Sequence, residues 1–167
     1  SLLLAMAGFS LVGAITPGPV NVLALRHGSQ ARRRVALGFV LGASASYAAV
    51  VWCMGQGAQW LVDGLPGLAP LAQWRCAASL LWLAGQLARA PGEGCPLQAA
   101  QAVPLWRAFA QGATVQVLNP KAWLVALSGV GLFVLPQGEG SGAALAWYCT
   151  VSLAACLLGV GCWAVAG

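Results

Sequence analysis

The chain has 167 residues, 60% of them hydrophobic and only 7% charged, with a net charge of +5. Soluble domains carry about 25% charged residues, so this composition excludes a water-soluble globular protein and indicates a lipid environment. The length suffices for one domain, because a membrane-spanning helix needs about 20 apolar residues and a short connection. We predict an all-α protein, a polytopic membrane helix bundle that is embedded in the lipid bilayer.

Five apolar segments, each long enough to cross a bilayer, follow one another along the chain. They occupy approximately residues 2–25, 35–62, 68–87, 105–135 and 143–167. We treat the chain as a single transmembrane domain with three parts: a first three-helix unit, a cytoplasmic loop and a second, incomplete unit. These parts are residues 1–88, 89–104 and 105–167.

The basic residues between the first two segments predict the orientation of the chain. They are Arg26, Arg32, Arg33 and Arg34. Short loops that are rich in Arg and Lys stay in the cytoplasm, so we predict that the N-terminus lies outside. Contact with nucleic acid or anionic lipid is the alternative for this cluster. Because the basic residues lie in short loops rather than in one patch, we expect no nucleic-acid partner.

The first apolar segment is interrupted by two prolines. The interrupting run is Thr16, Pro17, Gly18, Pro19, Val20 and Asn21. Each proline removes a backbone donor and clashes with the preceding helical turn, and the glycine adds conformational freedom. Within a bilayer, freed carbonyl groups are tolerated only against protein or a water-filled cavity. We predict an unwound stretch that faces the bundle interior; a simple proline kink is the alternative.

The fourth apolar segment is interrupted at Asn119, Pro120 and Lys121. A charge near the middle of a bilayer is costly and marks a functional site by default. All three acids of the chain lie in predicted loops, so a substrate carboxylate is the natural partner for Lys121. Nearby polar groups such as Thr114 and Gln116 could complete this site. The alternative is a re-entrant helix, from which Lys121 extends to the membrane surface.

The two interruptions are related to each other. Each combines Asn with Pro, and each lies in the first helix of a three-helix unit. The loop charges predict that the first helix starts outside and the fourth starts inside. This pattern is typical of a 3+3 inverted repeat, in which broken helices from both halves frame a substrate site near the midplane. Five helices are visible, so we expect a sixth beyond Gly167 and expect the chain to be a fragment that lacks it.

A stripe of small residues lies on the second segment. Gly38, Gly42 and Ser46 recur at four-residue spacing. Such a stripe permits close contact between helices. The spacing leaves open whether the contact lies within one chain or between the protomers of a homo-oligomer.

These motifs resemble those of the LysE/RhtB family of amino-acid exporters. The matching features are the runs at residues 16–21 and 119–121, the basic run from Gly28 and the pair Gly38 and Gly42. Residues 133–137 and 162–167 look like the cysteine and O-acetylserine exporter branch. The resemblance implies a bacterial inner-membrane protein of six helices that exports small amino acids using the proton gradient. Homoserine, threonine or lysine are alternative substrates.

The resemblance also implies the binding residues. The substrate site would consist of Thr16, Pro17, Gly18, Pro19, Asn21, Asn119, Pro120 and Lys121. Many relatives carry an acid where this chain has Ala43, so neither a proton carrier nor a counter-charge for the substrate ammonium is identified.

Two other functions were weighed against export. One is a membrane scaffold or assembly subunit without transport, which explains Lys121 poorly. The other is a transmembrane thiol-disulfide carrier, although neither interruption contains a cysteine. With His27 as the only histidine and no Cys-x-x-Cys pair, we expect no metal site, no cofactor and no enzymatic activity.

Overall fold

The computed structural model describes residues 1–30, 33–64 and 103–167, and within these ranges the chain is helical and contains no strand. The helices are α1 (Leu2–Ile15), α2 (Pro19–Ser29), α3 (Arg33–Gly64), α4 (Leu105–Val117), α5 (Pro120–Gly129) and α6 (Ser141–Ala166). A π-helical turn at Val130–Val134 and a 3-10 turn at Leu135–Gly140 connect α5 to α6. The predicted all-α class is confirmed for this part of the chain. The predicted third segment and residues 89–102 of the predicted loop lie outside the described residues.

Two stretches of the described residues are long and apolar enough to cross a membrane. One is Arg33–Ala58 of α3, and the other is the helical path from Pro120 to Ala166. A third span results if α1 and α2 count as one broken helix, since they are bent by 64° across a short break. The membrane helix bundle is therefore confirmed, whereas the inverted repeat stays a prediction.

Prolines determine where several of these helices begin and end. In a continuous helix, the carbonyl groups of Gly13 and Ile15 would accept from the amides of residues 17 and 19, which are both prolines. Helix α1 therefore ends at Ile15. Helices α2 and α5 each begin with a proline, a residue favoured at the first helical position because that amide needs no intrahelical partner.

Close contacts between backbones hold the described helices together. Helix α6 packs against α1 and α2. Helix α3 approaches α4 so closely that a Cβ on Gly42 would overlap the backbone of Phe109, and one on Gly112 would overlap the carbonyl group of Phe39. The side chains of Phe39 and Tyr148 are fully buried. This packing places the break between α1 and α2 beside the break between α4 and α5.

Candidate functional site

Side chains bind three of the carbonyl groups at the break between α1 and α2. Asn21 Nδ2 donates to the carbonyl oxygens of Ala14 at 2.9 Å and Thr16 at 2.8 Å. Trp163 Nε1 donates to that of Ile15 at 2.9 Å. The backbone between the helices is extended at Gly18, so this is an unwound segment rather than a simple proline kink. Because lipid supplies no hydrogen bonds, these side chains make the break tolerable in a bilayer.

The break between α4 and α5 is stabilised in a similar way. Asn119 lies at the N-terminal cap of α5, where its side chain accepts from the backbone amide of Lys121 at 3.2 Å. Trp123 Nε1 donates to the carbonyl oxygen of Val117 at 2.6 Å. Asn119 was predicted to contact the substrate. In the structure its side-chain oxygen accepts from the backbone amide of Lys121 instead. The indole groups of Trp123 and Trp163 were not predicted to take part in either break.

Lys121 joins the two breaks. Its ammonium group donates to the carbonyl oxygen of Thr16, which also accepts from Asn21. The lysine stem passes Gly18: a Cβ on that glycine would lie 3.7 Å from Lys121 Cδ and 3.8 Å from Nζ. Residues 105 positions apart in sequence thus meet at one point, because a tertiary fold brings both interruptions to the same level of the bundle.

A small open cleft lies at this junction. It is lined by Gly13, Ala14, Gly18, Val20, Asn21, Tyr47, Gln116, Asn119, Lys121, Ala122, Val125, Cys156 and Val160. Among the described residues of this lining Lys121 is the one that is charged, and the others are apolar or neutral. The ammonium group of Lys121 in this lining would favour a solute that carries a carboxylate.

The structure separates the predicted site residues into two groups. Gly18, Asn21, Asn119 and Lys121 line the cleft, and Thr16 contributes its carbonyl oxygen to Lys121. The three prolines, Pro17, Pro19 and Pro120, do not line the cleft; they shape the breaks that surround it.

Several residues of the cleft were not predicted from the sequence, and the two of these with a hydroxyl or thiol group are Tyr47 on α3 and Cys156 on α6. Both lie within uniform apolar segments, where no local motif distinguishes them from residues that only pack. Gln116 was noted as a neighbour of Asn119, and it lines the cleft.

The stripe of small residues lies away from the cleft. Gly38 and Gly42 contact α4 of the same chain, Gly38 against Leu105 and Ala108. Ser46 Oγ donates to the carbonyl oxygen of Ala43 at 3.0 Å within α3. Ala43 is fully buried, and its backbone amide faces Gly112 at the contact between α3 and α4. A carboxylate at position 43 would therefore have to be accommodated at or beside a tight helix contact.

The arginines that predict the orientation lie at helix ends. Arg26 lies in the last turn of α2, and the exposed residues Arg33 and Arg34 begin α3. Arg32 lies outside the described residues. The adjacent His27 forms a hydrogen bond from its Nε2 atom to Gln111 Oε1 at 3.1 Å. The orientation of the chain in the membrane stays a prediction.

The described ranges contain histidine, acidic and cysteine side chains that bear on metal and thiol chemistry. No group of three or more His, Cys, Asp or Glu side chains in them is close enough to hold a metal ion. The cysteines that these ranges contain are all unpaired: Cys53, Cys149, Cys156 and Cys162.

A bundle of apolar helices with two broken helices around a cleft is typical of a membrane transport protein. A family model described as LysE type translocator matches residues 11–166, and the chain belongs to that family. It is 34% identical to the cysteine/O-acetylserine efflux protein of Escherichia coli strain K12, over all of this chain and 83% of the relative.

A protein of the same description from Shigella flexneri serotype 5b is also 34% identical, over 99% of this chain and 82% of the relative. The corresponding protein of Escherichia coli O1:K1 is 33% identical over all of this chain and 83% of the relative. No solved structure matches this chain significantly.

Proposed function

We propose that this protein exports small amino acids of the cysteine and O-acetylserine type across the bacterial inner membrane, and that the cleft between the two breaks binds the substrate. The observation that carries this proposal is the position of Lys121. Its ammonium group lies at the cleft, where its hydrogen-bond acceptor is the backbone carbonyl of Thr16. A substrate carboxylate is a stronger partner for an ammonium than a neutral carbonyl oxygen, because the bond is then charge-assisted on both sides.

Helix α5 strengthens the case for an anion at this position. Lys121 is the second residue of α5, so its side chain starts at the positive end of the helix dipole. The Asn119 side chain already accepts from the Lys121 amide, so the dipole of α5 acts through its field rather than through a free amide. The ammonium group of Lys121, supported by this field, would hold the carboxylate of an amino acid. Tyr47, Cys156 and the valines of the cleft would surround its side chain.

The same contact suggests how binding is linked to movement. Lys121 connects α5 to the end of α1 through Thr16, and a substrate carboxylate would compete with that carbonyl for the ammonium. Binding would then loosen one contact between the two broken helices. Alternating access in transporters with broken helices occurs by movement of one unit against the other around such a site. Coupling to the proton gradient is part of the proposal.

The test is efflux of radiolabelled L-cysteine, kept reduced, from vesicles that contain the purified protein. Lys121→Met should raise the KM by roughly 10- to 100-fold, because it removes a hydrogen bond between two charged groups. Lys121→Arg retains the charge and should retain part of the transport. Arg34→Met is the matched control, since it removes an exposed arginine that does not line the cleft. Wild-type efflux kinetics in the folded Lys121→Met variant would contradict the carboxylate role.

A second arm addresses energy coupling. Efflux is measured with a pH gradient, without one, and with a protonophore. If transport is coupled to protons, the pH gradient drives cysteine efflux against a cysteine concentration difference. The protonophore then abolishes this uphill efflux. Identical net efflux under all three conditions would contradict proton coupling and leave facilitated transport.

A further inference from the structure

Gln116 is an unusual member of the cleft lining. Its side chain is only 6% exposed, and within the described ranges its amide group forms no hydrogen bond. Buried polar side chains are nearly always bonded to protein or water, because leaving them unpaired is costly. By contrast, the amides of Asn21 and Asn119 in the same lining bond to the backbone. Gln116 therefore offers the cleft a free amide group.

The described lining also lacks a charged partner for the positive end of an amino acid. A zwitterionic substrate brings an ammonium group with its carboxylate, and none of the described residues that line the cleft is acidic. Neutral oxygen acceptors are then the groups that can bind it. Gln116 lies in the last turn of α4, where the helix dipole is negative and favours a cation. The break thus presents a negative helix end beside Gln116 and a positive helix end beside Lys121.

We propose that Gln116 is a substrate-binding residue that accepts a hydrogen bond from the α-ammonium group, so that the cleft selects zwitterionic amino acids over the corresponding carboxylic acids. This inference rests on the proposed export function. Lys121 then holds the carboxylate and Gln116 the ammonium group, on opposite sides of the break between α4 and α5. No carboxylate of the protein is required for this selection.

The experiment compares L-cysteine with 3-mercaptopropionate, which keeps the thiol and the carboxylate and lacks the amino group. Vesicles containing the full chain are loaded with radiolabelled L-cysteine and a reductant, with or without 3-mercaptopropionate as a competitor. Gln116→Leu should raise the KM for cysteine by roughly 10- to 100-fold. The inhibition constant of 3-mercaptopropionate should stay within about threefold, because that compound makes no contact through an amino group. Lys121→Met should weaken the binding of both compounds, because both carry the carboxylate.

Two further variants separate binding from folding. Gln116→Glu keeps an acceptor oxygen at the same place and should keep the KM for cysteine at or below the wild-type value. Ala110→Val, at an exposed position of the same helix that does not line the cleft, should leave the KM for cysteine and the inhibition constant of 3-mercaptopropionate unchanged. The inference is wrong if Gln116→Leu raises the KM for cysteine and the inhibition constant of 3-mercaptopropionate by the same factor. It is also wrong if neither constant changes. A Gln116→Glu variant as defective as Gln116→Leu would also contradict it, because the acceptor oxygen is then not what matters.

Two different results would contradict the proposed export function and the proposed role of Gln116. Wild-type vesicles that release no cysteine contradict the export of cysteine itself. Wild-type vesicles that export cysteine, together with an unchanged Gln116→Leu variant, contradict only the assignment of the ammonium group.

Discussion

Two glycines of α6, two residues apart, provide a test of how tightly α6 holds the end of α1. A Cβ on Gly159 would lie 2.8 Å from Ala14 Cβ and 3.0 Å from the Ala14 carbonyl carbon, whereas one on Gly161 meets no atom within 4 Å. Ala14 lines the cleft, and its carbonyl oxygen accepts from Asn21. Gly159→Ala therefore presses on the segment that forms the cleft, and Gly161→Ala does not.

The expected loss of stability in Gly159→Ala follows from the distance between the new methyl group and Ala14. Carbon atoms pack at about 3.5–4.0 Å, so the new methyl group of Gly159→Ala must displace Ala14 by roughly 0.7 Å. Overpacking of this kind costs about 1–3 kcal/mol. Alanine gains up to about 1 kcal/mol over glycine inside a helix, and both variants share this gain. We expect Gly159→Ala to be about 1–3 kcal/mol less stable than Gly161→Ala, which corresponds to about 2–12 °C in the unfolding midpoint.

The assay is thermal unfolding of the detergent-solubilised protein, followed by circular dichroism at one fixed heating rate. Cysteine efflux is measured on the same preparations. Gly161→Ala should unfold at or slightly above the wild-type temperature and transport normally. Gly159→Ala should unfold at a lower temperature and transport more slowly, because Ala14 moves. Equal midpoints for the two variants would refute the close packing of α6 on the end of α1.

Two other predictions concern the breaks. Trp163→Phe removes the donor to the Ile15 carbonyl oxygen and should lower the free energy of unfolding by about 1–3 kcal/mol. Thermal unfolding measures this loss. The control is Trp147→Phe, at an exposed tryptophan, which should leave the unfolding midpoint nearly unchanged. At Gly18 the backbone is extended, so the variants Gly18→Ala and Gly18→Leu should both fold. Gly18→Ala only touches Lys121 and should transport nearly normally, whereas Gly18→Leu should lower cysteine efflux about tenfold for each 1.4 kcal/mol of clash with the substrate. Normal efflux by Gly18→Leu would contradict the position of the site.

Much of the cleft could be predicted from local sequence, because its most informative residues lie where a helix cannot continue. The prolines at 17, 19 and 120 lack amide hydrogens, and this chemistry interrupts a helix in any tertiary context. The roles of Asn21 and Asn119 were harder to predict. An amide side chain can bind a substrate or a freed backbone group, and only the distances to Ala14 and Thr16 show that Asn21 donates to the backbone.

By itself, the sequence determined the membrane class, the helical segments, the two interruptions and the unusual lysine, because these follow from composition and from the backbone chemistry of proline. The tertiary structure alone decided what meets across the cleft: Lys121 with Thr16, Trp163 with Ile15, and Tyr47 and Cys156 as walls. Such contacts join residues far apart in sequence. They depend on how the helices are rotated and how closely they approach, and a uniformly apolar segment carries no polar face that would reveal its rotation.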